Sequence, residues 1–183
     1  MNETLRTISE RYSCRDFADG PLTEEQLDTI LRAALAAPSG RNAQPWKIIV
    51  VTDKAFIDEL DAEGMKIIAG NEDQSYYNLI TSRGGRLLYN APCLLMVVID
   101  DSKYAPIDCG ILVQNIALAA HALGLGSVIC AMAGLALEGE RDDEFYERLE
   151  IPDGYGFGMG VLIGTPNSSK PPHELEWDRV IRL

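Results

Sequence analysis

Two short stretches gather the side chains of this sequence that could do chemistry. In "RYSCRDF", residues 11–17, Arg11, Ser13 and Arg15 occupy alternate positions. An extended chain points alternate side chains the same way, so two guanidiniums and a hydroxyl would converge on one spot. Arginine offers permanently charged, two-pronged donors that suit a phosphate or a carboxylate. By spacing alone, two surface arginines paired with Glu10, Asp16 or Asp19 are the commoner arrangement. In "APSGRNAQPW", residues 37–46, Pro38, Ser39 and Gly40 end a helical pattern, and Asn42 and Gln44 follow on a loop. Both amides carry donors and acceptors, which match the alternating N–H and C=O edge of a heterocycle. Ordinary capping and turn chemistry explains the same residues equally well.

Other reactive side chains are sparse. Cys14, Cys93, Cys109 and Cys130 form no Cys-x-x-Cys pair, and none lies at zinc-ligand spacing from a histidine. They read as free, mostly buried thiols of a reducing cytoplasm, with no metal and no disulfide framework expected. His121 falls inside an apolar helical pattern, where a hydrogen-bonded structural role is the expectation, and His173 lies in a polar tail. The 183 residues include 16 basic and 28 acidic side chains, a net charge of −12. Such a surface repels nucleic acid and anionic membranes, yet it leaves room for a local basic pocket. No signal-peptide pattern opens the sequence, and no run of about 18 uninterrupted apolar residues marks a membrane span. The expected location is the cytoplasm.

The elements that must position these residues follow from periodicity and punctuation. Residues 2–12 read as a short helix ending at Arg11. Gly20-Pro21 breaks the chain, Thr23 and Gln26 form a capping box, and Leu27, Ile30, Leu31, Ala34 and Leu35 follow at helical spacing. "WKIIVVT" (46–52) and "CLLMVVID" (93–100) are buried strands separated by a helix over 54–69. Residues 70–90 are polar and tyrosine-rich, with no regular period. Residues 105–123 form a helix apolar nearly all round, which predicts burial against a second subunit as well as the sheet. "GLGSVICAMAG" is a turn, a third strand and a small-residue loop; 140–149 is a charged helix; "GFGMGVLIGTP" is a fourth strand whose glycines serve close packing. The tail is expected to end in a short strand. The alternation predicts one α+β domain over residues 1–183, with a central mixed sheet flanked by helices. Neither a Rossmann fingerprint nor a Walker A sequence is present.

In this order the pieces closely resemble the nitroreductase family of flavoproteins. "RYSCRDF" is similar to its Arg-x-Ser-x-Arg-x-Phe, and "APSGRNAQPW" to its Ala-Pro-Ser-x-x-Asn-x-Gln-Pro-Trp. "YNAPCLLMVVID", "DCGILVQNIALAAHALGLGS" and "IPDGYGFGMGVLIGTP" resemble its Ala-Pro strand, its Asp-x-Gly helix with the turn after it, and its closing strand. Residues 55–85 and the tail match least.

The resemblance implies a nitroreductase-like fold and an intertwined homodimer with two FMN sites at the subunit interface. It implies that Arg11, Tyr12, Ser13 and Arg15 line the flavin, with Arg11 near the phosphate. Tyr12 stands where many members carry a further arginine. Pro38, Ser39, Gly40 and Asn42 would come from the partner beside the isoalloxazine ring, with Gln44 close to the same loop, and Met132, Ala133 and Gly134 would lie by the flavin N5 edge. Lys170 would be a second cation near the phosphate. The implied activity is ping-pong hydride transfer from NADH or NADPH through flavin N5 to small organic acceptors: nitroaromatics, quinones or activated alkenes. No catalytic acid or base is implied. The alternatives are a flavin-storage or sensing protein with little turnover, or a specialised relative that consumes flavin or removes halogen.

Overall fold

A computed structural model describes residues 1–183, and its elements follow local rules written in the sequence. The helices are α1 (Glu3–Glu10), α2 (Glu24–Leu35), α3 (Lys54–Ala69), α4 (Ser75–Ser82), α5 (Ala105–Ala122) and α6 (Asp142–Arg148). The strands are β1 (Trp46–Val51), β2 (Cys93–Ile99), β3 (Gly126–Cys130) and β4 (Gly156–Gly164). The capping box on α2 forms: the Gln26 amide donates to Thr23 Oγ1 at 3.2 Å, and the Thr23 amide donates to Gln26 Oε1 at 2.9 Å. Asp53 caps α3, its carboxylate accepting the Ala55 amide at 2.9 Å.

The four strands form one sheet in the order β1-β2-β4-β3, and every pair of neighbours is antiparallel. The expected mixed character reduces to one isolated parallel bridge, Ser13 to Ser127, where the N-terminal segment joins the β3 edge. Strand β2 is buried on both faces, which is why it reads as an unbroken apolar run. Leu94, Met96 and Val98 pack with Ile57, Leu60 and Phe145 under α3 and α6. Cys93, Leu95 and Val97 pack with Ile30, Leu112 and Ile116 under α2 and α5. This is the period-two alternation of a strand, with a core layer on each side.

Two expectations change. The silent stretch 70–90 holds α4, and the tail has no strand, only a 3₁₀ turn at Trp177–Arg179. The tail is exposed, with Leu175 at 67% and Trp177 at 68%. The outer stripe of α5 is uncovered, with Ile107 at 62%, and beside it α1 exposes Leu5 and Ile8. No helix is long and apolar enough to cross a membrane.

Candidate functional site

Segment 11–17 leaves α1 through Arg11, whose amide still bonds to Thr7 O at 3.1 Å, and then extends along β3. The Cys14 amide donates to Ser127 O at 2.9 Å. Cys14 itself turns inward at 1% exposure and packs on Gly126, where a side chain would sit 2.7 Å from its sulfur. Alternation then places Ser13 and Arg15 on the opposite side. The anticipated ion pairs do not form. Asp16 instead accepts from Asn167 Nδ2 at 3.0 Å, and neither Arg11 nor Arg15 meets a carboxylate. Arg15 stacks its guanidinium 5.8 Å from the centre of the Tyr89 ring.

The start of the tail runs alongside this segment. The Ala18 amide donates to Thr165 O at 2.8 Å and the Asn167 amide to Asp16 O at 3.0 Å, while Phe17 bridges Pro166. The Tyr12 hydroxyl donates to the carbonyl of Ser168, so it anchors the tail. That clamp brings Lys170 to Arg15. The two line a cavity of about 380 Å³ with Arg83 and Tyr89. Tyr76 lies close by: burial pushes its hydroxyl's pKa up, Tyr89 and Cys130 add to this, and Arg15 and Arg83 oppose it.

The second stretch, residues 37–46, is built as a strained loop. Arg41, Asn42 and Gln44 all take positive φ, at 56°, 56° and 48°. Side chains rarely adopt that region unless surrounding contacts impose it. Here the Gly40 amide donates to both oxygens of the buried Asp108 at 3.2 Å, and Ser39 Oγ accepts the Gln44 amide at 2.9 Å. Gln44 Nε2 reaches Asn42 Oδ1 at 3.3 Å. Pro38, Gly40, Asn42 and Gln44 are exposed, so the free edges of both amides face outward. No hydrogen bond links this loop to residues 11–17 of the same chain.

Met132, Ala133 and Gly134 lie in the 3₁₀ turn Ala131–Leu137 that closes β3. Burial raises the pKa of the Cys130 thiol, while the Ala133 and Met132 amides and Arg15 pull it back. Burial also pushes Cys93 up to about 12 and Cys109 to about 11, so neither is a thiolate at neutral pH.

The structure therefore unites Arg15 and Lys170, sets Ser13 on the same side, and keeps loop 38–44 apart within one chain. Arg83 and Tyr89 escape the sequence reading because their stretch has no period and no motif. The one available signal was a pair of arginines, Arg83 and Arg86, flanking Gly84-Gly85 in an acidic chain.

The sequence model of the nitroreductase family matches residues 8–165. The chain belongs to the nitroreductase family. A nitroreductase with bound FMN from Desulfitobacterium hafniense DCB-2 is 50% identical, with a TM-score of 0.96 over 100% of this chain and 99% of that one. The NADPH-flavin oxidoreductase of Vibrio harveyi is 31% identical over 92% of this chain and 68% of its own length. The FMN reductase [NAD(P)H] of Bacillus subtilis strain 168 is 30% identical over 94% of this chain and 70% of its own. The nitroreductase match includes both "RYSCRDF" and "APSGRNAQPW", and stops short of Lys170.

Proposed function

We propose that the protein is an FMN-dependent oxidoreductase passing hydride from NADH or NADPH to a nitroaromatic, quinone or activated-alkene acceptor in two separate half-reactions. The observation that carries this reading is the cavity where Arg15 and Lys170 stand without a carboxylate partner in a chain of net charge −12. Unpaired cations brought together against like-charge repulsion fit an anionic, phosphate-bearing group. The family relationship and the flavin-reductase relatives support FMN as that group.

When bound, the flavin supplies hydride acceptance and donation; the protein supplies position and electrostatics. Arg11 and Lys170 hold the phosphate, and Ser13 and Arg15 hold the flavin. Tyr12 is a cofactor neighbour that acts by clamping the tail. The turn at Met132, Ala133 and Gly134 offers backbone amides to the N5 edge. Pro38, Ser39, Gly40, Asn42 and Gln44 come from the partner in a homodimer, which explains why their outward edges meet nothing in one chain. The chain acts as one FMN-binding domain over residues 1–183 in a reducing cytoplasm, where four free thiols persist.

A visible spectrum with anaerobic titration tests this. The purified or FMN-reconstituted protein should be yellow, bleach with NADH or NADPH, and recover its colour on adding menadione or nitrofurazone. A chain that cannot be reconstituted ends the proposal. One that bleaches and never recovers with any acceptor becomes a flavin-storage or sensing protein.

A further inference from the structure

Arg83 is the third cation of the Arg15–Lys170 cavity, and no family motif carries it. It stands at the C-cap of α4, where its amide bonds to Ile80 O at 3.0 Å. Its guanidinium makes no ion pair, whereas Arg86, three residues on, pairs with Asp58 at 2.7 Å. Gly84 and Gly85, at φ 104° and 68°, turn the chain between them, so one arginine faces the cavity and the other faces α3.

The wall that holds Arg83 is firmly anchored. Leu87 and Leu88 are buried at 1% and 2%, and the Leu88 amide donates to the buried Asp61 at 2.6 Å. Tyr89 and Asn90 follow at φ 52° and 57°, a left-handed pair that sets the Tyr89 ring beneath Arg15. Three unpaired cations and a tyrosine thus converge from three separate stretches of chain. We propose that Arg83 is a further cationic contact to the bound FMN, beside Arg11, Arg15 and Lys170, making α4 and its following turn a wall of the cofactor pocket. This rests on the proposed FMN function. Its chemistry is a guanidinium donating to an oxygen acceptor, either the anionic FMN phosphate or a carbonyl at the polar edge of the ring.

Apo protein is titrated with FMN and with riboflavin, following flavin fluorescence, at several salt concentrations. Arg83→Ala should weaken FMN binding about tenfold, the value of one charge-assisted contact, and flatten its salt dependence. Arg83→Lys should fall between the two. Arg32→Ala, which removes an exposed α2 charge away from the cavity, should bind FMN as wild type does. Loss for FMN but not riboflavin assigns Arg83 to the phosphate; equal loss assigns it to the ring. Unchanged FMN affinity in a folded Arg83→Ala protein overturns the inference, including the case where only the KM for NADPH or NADH moves. Wild-type protein that binds no FMN overturns the proposed function, and this inference with it.

Discussion

Asp61 shows how burial of one residue shapes the wall of the candidate site. Its carboxylate is 4% exposed, accepts the Leu88 amide, and lies 3.9 Å from Arg86. Burial pushes its pKa up; the Leu88 amide and Arg86 oppose this without overcoming it. A folded-state pKa above the unfolded one favours the fold most below the unfolded pKa. That contribution is lost as pH rises through the folded value. Ionised Asp61 is therefore a liability at neutral pH. Asp61→Asn keeps an oxygen for the Leu88 amide and removes the charge. Its melting temperature should exceed wild type by roughly 2–4 °C at pH 7, about what 1 kcal/mol produces in a chain of this size. The gain should vanish near pH 4. A gain that grows on acidification would contradict the assignment. Asp58, Glu59 and Glu144 have lowered pKa values and lose their contribution as pH falls, so the comparison must be made against wild type at each pH. At this scale the sequence was legible in the backbone: alternation along an extended segment puts Ser13 and Arg15 on one side, and Cys14 does turn inward between them at 1% exposure. Asp61 and Arg83 were opaque, because the burial of one and the cavity of the other depend on contacts distant in sequence.

Elements were legible wherever one period ruled a stretch. The two core faces of β2, the capping box of α2 and the largely apolar α5 follow from local pattern. Helix α4 was hidden because it is short and buries only Ile80 deeply. Gly160 of β4 and Gly134 of the turn after β3 allow an interlock between the two segments. A side chain at Gly160 would meet Ala133 Cβ at 2.5 Å, and one at Gly134 would lie 2.6 Å from Phe157 Cε1. Gly134→Ala should therefore cost about 1–3 kcal/mol of stability, the range for overpacking a close contact. Gly40→Ala is the control: its nearest neighbour, Asp108 Oδ2, is 3.8 Å away, and its unfolding midpoint should stay near wild type. Urea unfolding monitored by circular dichroism reads both. Equal midpoints would mean that the turn and β4 are not held as tightly as their packing indicates.

In the molecule as a whole, the uncovered apolar faces of α1 and α5 lie side by side. Helix α5 buries Leu112, Val113, Ile116 and Ala120 on the sheet, and leaves Ile107, Gly110, Ile111 and Leu118 on its outer stripe. A side chain built at Gly110 meets nothing within 4 Å, so there is room for a closely approaching surface. The stripe adjoins exposed Leu5 and Ile8 of α1. Large apolar side chains grouped in this way fit the association surface that the proposed homodimer needs. A symmetric dimer also accounts for the separation of loop 38–44 from residues 11–17, since the two halves of the proposed FMN site would then meet across subunits. Sedimentation equilibrium should give twice the chain mass for the wild type. Ile107→Glu places a charge in the proposed interface and should shift the mass toward one chain. FMN retention should fall with it, although Ile107 is not a proposed cofactor contact. Because Ile107 is 62% exposed in the single chain, the variant should keep its far-ultraviolet dichroism, which separates dissociation from unfolding. A wild-type protein that runs at one chain mass while holding FMN would show that one chain completes the site, and would remove loop 38–44 from it.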